Sequence, residues 1–370
     1  MRCLEEWYLP DSEAFPQLKW IQIRDCPMLK EDKVSEVLMK IVSSSSDVSK
    51  VSKLEINGDY ERSPVEGSSR EMVLDGDTLS VRGCESVMEY ALNAMITPTI
   101  YVASKKYTSQ EEQKYDLVEL QIDHSCHSLT SLSLDAFPNL KTLEIYSCKN
   151  LESVSMSEPP HAALHILIIY SCRKLLSFTG EGLAAPNLTH LDLYCCSKME
   201  ALPSHMNTLL PNLLTLQIYK CRNICKVPEG GLPPNLKYLE INEPFWGGLL
   251  MLNWEALTHL TVYGSITKVR SFPYSLPHLP SLTFLKIWSL FFLETLECNQ
   301  LLRLTSLQQL HIKGCSNLVY MEGEKLPSSL LLLKIKFCLL LGDYCKNKHQ
   351  EIWPKIEHIP TIIVDGEQIV

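Results

Sequence analysis

Aliphatic residues recur along the chain in the order L-x-x-L-x-L, in which any aliphatic side chain can take an L position. Within each copy the last positions alternate between apolar and polar, which is typical of a short strand with its aliphatic side chains facing a core. From Leu140 onward, successive copies start 21 to 25 residues apart. The copies start at Leu18, Val51, Leu117, Leu140, Leu164, Leu188, Leu213, Leu236, Leu257, Leu282, Leu307 and Leu330.

This spacing indicates a repeat architecture, because a period of about 20–29 residues is that of the leucine-rich repeat. One strand per repeat stacks into a parallel sheet, and the remaining residues of each repeat return on the other side as turns and irregular chain. The sequence therefore predicts a fold of the α/β repeat class, a curved leucine-rich-repeat solenoid. Its parallel β-sheet forms the concave face, its convex face is irregular and rich in turns, and a C-terminal cap closes it.

Cysteine and proline keep fixed places in this period. Proline stands two residues before the first leucine in six copies, where its missing N–H removes no hydrogen bond from the sheet. A buried thiol at the end of a strand can donate to a neighbouring backbone carbonyl, which favours a structural role for the repeated cysteines over disulfides or metal ligands. Cysteine takes the ninth position at Cys26, Cys148, Cys172, Cys196, Cys221, Cys315 and Cys338.

Departures from the period suggest four segments. Residues 1–58 hold the first repeats and begin without a cap, which suggests that they continue a longer protein. Residues 59–116 form an irregular segment or degenerate repeats with an insertion, in which 84–96 has a helical apolar face. Residues 117–350 hold the regular repeats, and 351–370 form the C-terminal cap. The residues predicted to close the last repeat are Trp353, Ile356, Ile359, Ile362, Ile363 and Val364.

Charge and composition narrow the classes of function. The formal net charge is −9 and no run of five basic residues occurs, which argues against a nucleic-acid partner. No apolar run is long enough to span a bilayer, and the N-terminus lacks the apolar segment of a secretory signal. We therefore expect a cytoplasmic or nucleo-cytoplasmic protein in a reducing compartment.

Candidate chemistry is sparse. The group Cys338, Cys345, His349 and His358 lacks the spacing of a zinc site, and DHSCHS at 123–128 is only a local cluster at a strand end. Neither a phosphate-binding loop nor a dinucleotide fingerprint occurs. The sequence predicts no enzyme, no cofactor and no metal.

The concave face carries the most suggestive pattern. Acidic residues lie early on this face, at Glu119, Asp123, Glu144 and Asp192. Lysines lie late and could orient a partner: Lys286, Lys313, Lys334 and Lys336. Aromatic residues at the last outward position of successive strands predict a column, interrupted at Asn242, that either stabilises the sheet or anchors a protein partner. These predicted anchors are Tyr146, Tyr170, Tyr194, Tyr219, Tyr263 and Trp288.

Longer segments resemble a known family. FPNLKTLEIYSCKNLESV, LPPNLKYLEI and above all EIWPKIEHIPTIIVDG resemble the C-terminal leucine-rich-repeat region of plant coiled-coil-type NLR disease resistance proteins, of the legume type. The resemblance covers nearly the whole chain and is weakest over 59–116. The closing W-P-K-I-x-H-I-P motif is its most specific part. The coiled-coil and nucleotide-binding domains of the family match no part of this sequence, so nucleotide binding is not transferred.

This resemblance implies a non-enzymatic recognition module of an innate-immunity receptor that acts through the concave face. The partners implied are a pathogen effector, a guarded host protein or the nucleotide-binding domain of a full-length receptor. One alternative is a substrate adaptor of a ubiquitin ligase, which would need an F-box module that the first 17 residues cannot supply. The other is a fragment of a repeat protein without independent activity.

Overall fold

The computed structural model describes residues 20–24, 53–57, 71–75, 78–82, 118–123, 130–156, 160–179, 182–249, 254–264 and 268–370. For the first four of these ranges only the backbone is considered. The chain divides into two compact units. The first unit comprises Met1–Leu188 and Cys195–Met199, and the second comprises Thr189–Tyr194 and Glu200–Val370.

The first unit is built from short strands. β5, β7 and β9 pair in parallel, and β2 pairs in parallel with both β4 and β5. β3 lies antiparallel to β1 and to β4. A second, smaller parallel sheet joins β6, β8 and β10, and a 3-10 turn covers Leu134–Ala136. The strands are β1 (Trp20–Arg24), β2 (Lys53–Asn57), β3 (Glu71–Asp75), β4 (Thr78–Arg82), β5 (Glu119–Asp123), β6 (Ser131–Ser133), β7 (Thr142–Tyr146), β8 (Ser153–Ser155), β9 (Ile166–Tyr170) and β10 (Ser177–Thr179).

The second unit continues the same plan. β11, β12, β13, β14, β16, β18, β20 and β21 pair in parallel in that order, and β22 adds an antiparallel edge. β15, β17 and β19 form a small parallel sheet of their own. The strands are β11 (His190–Tyr194), β12 (Thr215–Tyr219), β13 (Tyr238–Asn242), β14 (His259–Tyr263), β15 (Ser271–Phe272), β16 (Phe284–Trp288), β17 (Thr295–Glu297), β18 (Gln309–Lys313), β19 (Tyr320–Glu322), β20 (Leu332–Lys336), β21 (Thr361–Val364) and β22 (Glu367–Gln368).

Helices in the described residues are short. The longest is Leu339–Lys346, which spans eight residues. The others are the α-helical turns Met206–Leu209, Trp246–Leu249, Cys298–Leu301 and Trp353–Ile356 and the 3-10 turn Glu243–Phe245.

The inward aliphatic residues form the core, as predicted. Leu143 and Ile145 of β7 are fully buried, and so are Leu216 and Ile218 of β12. Each pair lies beside its equivalents in the neighbouring strands: Leu216, for example, is in register with Leu191 and Leu239. Burial of one such side chain contributes about 1.5–3 kcal/mol. The core therefore runs along each unit as layers of aliphatic side chains from successive strands.

The cysteines at the strand ends are buried and act as predicted. The thiol of Cys196 donates to the carbonyl of Ile169 at 3.8 Å, and that of Cys221 donates to Leu193 at 3.4 Å. In each case the acceptor belongs to the strand of the preceding repeat. The ten cysteines of the described residues are free thiols. Cys26 lies outside the described residues.

The asparagines of the P-N-L copies form a second set of contacts between repeats. The amide of Asn187 donates to the carbonyl of Ala162 at 2.8 Å, and that of Asn235 donates to Pro211 at 3.1 Å. Since these carbonyls lie about one repeat earlier in the chain, each asparagine links neighbouring turns. The sequence pattern located these residues without indicating this role.

Most of the five-residue strands are followed directly by a residue with a left-handed backbone. The residue after β9 is Ser171, with φ 57°, and the residue after β12 is Lys220, with φ 56°. Among the described residues, this residue is glycine only after β18, where Gly314 has φ 67°. Side chains with a Cβ are disfavoured in this region by about 1–2 kcal/mol. The packing of the repeat therefore holds these residues in a backbone conformation that they would otherwise avoid.

The C-terminal segment differs in one respect from the prediction that 351–370 abandon the pattern. Ile362 and Val364 lie in register with Leu333 and Ile335 of β20, so β21 adds a further parallel strand to the sheet. Ile356 and Ile359 are fully buried. Trp353 and Ile363 are only half-buried. The helical face predicted for 84–96 lies outside the described residues.

Candidate functional site

The outward side chains of the long strands form one continuous surface within each unit. We call this surface the open face; it is the face that is concave in a leucine-rich-repeat solenoid. It carries three rows, because the first, third and fifth residues of each five-residue strand point away from the core. In the second unit the last row contains Tyr194, Tyr219, Asn242, Tyr263, Trp288, Lys313 and Lys336, and the middle row contains Asp192, Gln217, Glu240, Thr261, Lys286, His311 and Lys334.

The predicted aromatic anchors lie in the last row. In the first unit the rings of Tyr146 and Tyr170 are 5.9 Å apart, and the hydroxyl of Tyr146 donates to Glu144 at 3.2 Å. Tyr170 is 37% exposed, which leaves its ring available for contact. In the second unit Tyr194 and Tyr219 stack at 4.6 Å. Such contacts contribute about 0.5–1.5 kcal/mol beyond the buried area.

The break at Asn242 reorganises the rest of the row. Asn242 is buried, and its amide donates to the carbonyls of Cys221 and Ile224 at 3.4 and 3.1 Å. Because no large side chain stands at this position, the ring of Tyr219 reaches Trp288 at 5.0 Å and Tyr263 at 4.6 Å. The predicted column is therefore a compact cluster here.

Tyr263 has a different environment from the other predicted anchors. It is only 4% exposed, and its hydroxyl accepts a hydrogen bond from the backbone N–H of Lys220. Burial also raises the pKa of Tyr263 above its ordinary value. In this position Tyr263 supports Tyr219 from below the surface, whereas Tyr194, Tyr219 and Trp288 are only half-buried.

The predicted lysines surround Trp288 and the end of the row. The ammonium of Lys286 lies 4.5 Å from the centre of the Trp288 ring, and that of Lys313 lies 4.9 Å from it. Lys336 lies 5.0 Å from the ring of Phe337. Cations at these distances are attracted by the aromatic face. Lys334 is exposed beside His311, with which it is in register.

Two features of the open face were not predicted from the sequence. The first is Lys220, whose ammonium lies 5.2 Å from the Tyr219 ring and 5.7 Å from the Tyr194 ring. The second is an aromatic set at the other ends of the strands: Tyr238 is 5.9 Å from His259, which is 5.4 Å from Phe284. The first position of three successive strands is aromatic or histidine, a signal that was present in the sequence.

The middle row carries charge in a partly dehydrated setting. Burial raises the pKa of Asp192 to about 6 and raises that of Glu240 as well. Burial lowers the pKa of Lys286, and burial together with Lys334 and Lys286 lowers that of His311. Acids thus lie on β11 and β13 and bases on β16, β18 and β20. Within the second unit Asp192 thus precedes the lysines in strand order. The other acids of the predicted drift, Glu119, Asp123 and Glu144, belong to the first unit, so the drift along the whole face stays a prediction.

The described residues show no helix long and apolar enough to cross a membrane. They also contain no cluster of three or more His, Cys, Asp or Glu side chains arranged to hold a metal ion.

These features define the chain as a leucine-rich-repeat solenoid with an aromatic and charged open face. No model of a known protein family matches the sequence. The chain is similar to a protein of Arabidopsis thaliana provisionally named as a disease resistance protein, with 31% identity over 270 residues. The matched region is 70% of this chain and 18% of that relative, so the match spans less than a fifth of the relative's length.

Proposed function

We propose that this chain is the protein-recognition part of a plant disease resistance receptor and that it binds a protein partner on its open face. The similarity to a relative named for disease resistance supports the biological role. The cluster of Tyr219 and Trp288, flanked by Lys286 and Lys313, supports the mechanism. Tyrosine and tryptophan are the residues that most often anchor protein interfaces.

The rigidity of the surface favours binding. Each anchor lies on a strand that pairs in register with the neighbouring strands. Its backbone is therefore already ordered before a partner binds. Little conformational entropy is then lost on association. The lysines around Trp288 add a positive field that orients an acidic part of the partner. A pathogen effector, a host protein altered by one, and another domain of a longer receptor are the partners that we consider.

We also propose a cytoplasmic location. The ten cysteines of the described residues are all free thiols, and eight of them are buried. Reduced thiols in this number are typical of the cytosol and rare in secreted proteins.

The proposal is tested by quantitative co-purification from plant tissue. The chain is expressed as the wild type, as the open-face variant Trp288→Ala with Lys313→Glu, and as a control, Tyr320→Ala with Lys325→Glu. The control residues are exposed and lie away from the open face, on or after β19. We expect at least one protein to be recovered with the wild type and the control and reduced at least tenfold with the open-face variant.

Recovery of the same proteins with all three chains would contradict binding through the open face. Thermal melting of the three chains serves as the check on folding. A partner lost only from the control chain would assign recognition to the other side of the molecule.

A further inference from the structure

The middle row of the second unit contains a buried acid that forms no ion pair within the described residues. Glu240 lies at the centre of β13 and is only 9% exposed. Within the described residues its carboxylate takes part in neither a hydrogen bond nor an ion pair. A buried carboxylate in this state is costly, since the charge has lost most of its water and Lys286, two strands away, offsets only part of that loss. A cationic group of a binding partner would offset this cost, which favours a binding role for Glu240.

A second acid faces the same space. Asp192 lies in register with Gln217, and Gln217 lies in register with Glu240, so the two acids flank one amide. Their backbones are about 10 Å apart, which is the width of two strand spacings. One carboxylate oxygen of Asp192, Oδ1, is buried and has no hydrogen-bond partner among the described residues. The two carboxylates and the amide between them therefore place acceptor oxygens in one short stretch of the row.

Aromatic rings border this stretch on both sides. The stacked pair Tyr194 and Tyr219 lies on one side, in the last row, and Tyr238 lies on the other side, in the first row. Ring faces attract cations and, in particular, stack with the planar guanidinium of arginine. Acids between two aromatic walls therefore favour a cation over a neutral ligand.

Cations of the chain itself lie nearby without occupying this space. Lys286 attracts Glu240 and stands two strands away, yet its ammonium rests on the ring of Trp288. His190 acts in the same sense on Asp192. Lys220 rests against the rings of Tyr219 and Tyr194. The net charge of −9 adds a general attraction for a basic partner.

We propose that Asp192, Gln217 and Glu240 form a receptor for one arginine side chain of the protein partner. Arginine fits better than lysine, because its five donors in a planar fork can reach both acids at once and its face can stack on Tyr219 or Tyr238. This inference rests on the proposed function, since it names the group that a partner places on the open face. The site would fix the register of the partner along the strands, while the aromatic cluster supplies contact area.

The test uses a displayed library of random 12-residue peptides, selected against the full wild-type chain. We expect the selected peptides to share an arginine at one position. Replacing that arginine by citrulline, which has nearly the same shape but no charge, should weaken binding at least tenfold. Against the Glu240→Gln chain the same replacement should change binding less than threefold, as expected for a direct pair in a double-mutant cycle. Glu240→Gln removes a buried charge and keeps the side-chain size, so this variant is expected to fold.

Further variants separate the alternatives. Asp192→Asn should weaken binding of the arginine peptide. Lys286→Gln should strengthen this binding several-fold, because it removes a competing cation. Glu322→Gln, at an exposed position, should leave the binding unchanged. Equal effects of citrulline on the wild type and on Glu240→Gln would overturn the proposal. A shared lysine in place of arginine would overturn the choice of arginine.

The same selection distinguishes this inference from the proposed function. Peptides that lose binding to Trp288→Ala but show no basic preference would overturn the arginine site alone. Peptides unaffected by Trp288→Ala would count against recognition by the open face, and a library without any binder would count against both.

Discussion

The ring of Trp288 stacks against the ring of Tyr219 at 5.0 Å, although β13 and β14 separate their strands. Three strand spacings amount to about 14 Å at the backbone. The two side chains can meet because Asn242, between them, turns its amide into the interior and Tyr263 is buried below the surface. A gap in the aromatic pattern thus creates the most compact aromatic cluster of the open face.

The hydroxyl of Tyr263 gives the first prediction. It accepts the backbone N–H of Lys220 and is buried, so Tyr263→Phe leaves that donor without a partner. We expect the free energy of unfolding to fall by about 1–2 kcal/mol. Denaturant unfolding measures the change. Tyr320→Phe, at a position 55% exposed, is the control and should change the stability by less than about 0.5 kcal/mol.

Asp192 gives a prediction about pH. Its folded-state pKa of about 6 lies above the ordinary 3.8, so the native state binds this proton more tightly than the unfolded state does. Stability is therefore lost as the pH rises from about 4 to about 7. Asp192→Asn should leave stability unchanged near pH 3.5 and increase it above pH 7, by on the order of 1 kcal/mol because solvent screens a half-exposed group.

Urea unfolding of the wild type and of Asp192→Asn between pH 3.5 and 8 measures this difference. Asp343→Asn, at an exposed carboxyl of the helix Leu339–Lys346, is the control. A stabilisation by Asp192→Asn that is the same at every pH would show that the charge of Asp192 is not its cause.

The inward layer gives the third prediction. Leu216 is fully buried between Leu191 and Leu239, so Leu216→Ala should leave a cavity and destabilise the second unit by about 3 kcal/mol. Leu216→Asp should prevent folding of that unit. Circular dichroism and thermal melting report both effects. Leu176→Ala, at a position 49% exposed, should be close to neutral, and equal effects of the two alanine variants would contradict the layered core.

The left-handed turn after each strand gives the fourth prediction. Ser171 has φ 57°, so Ser171→Gly should relieve the steric cost and stabilise the chain by about 0.5–1 kcal/mol. The same change at Ser177, the first residue of the strand β10, should destabilise by about 0.5–1 kcal/mol. Melting temperatures of the two variants should move in opposite directions. A common direction would mean that the backbone conformation at Ser171 is not what limits stability.

Much of the fold could be predicted from the sequence, because the repeat forces each side chain into a role that depends only on its place in the period. Leu143 and Ile145 had to face the core once the strand was located, and Cys148 had to end it. The strand β21 was missed, because its aliphatic residues follow a helical turn and lack the leading leucine of the pattern.

The candidate site was only partly predictable for a related reason. The period assigns Tyr263 to the same row as Tyr194, but the row does not reveal which ring is covered by its neighbours. That depends on Asn242, whose amide finds two carbonyls that are remote in sequence. The charge of Glu240 was likewise hidden, because its importance lies in burial and in the absence of a hydrogen bond among the described residues.

The thiols at the strand ends have a consequence for experiment, since they mark individual repeats. Cys196 and Cys221 are fully buried and donate to the carbonyl of the preceding strand, so a reagent reaches either thiol only after that strand separates locally. Burial also raises the pKa of Cys345 to about 12, which suppresses the reactive thiolate. Cys225 is exposed and should react at once. Labelling followed by mass spectrometry would therefore time the opening of each repeat with no foreign probe added, and would show which part of the scaffold yields first when a partner binds.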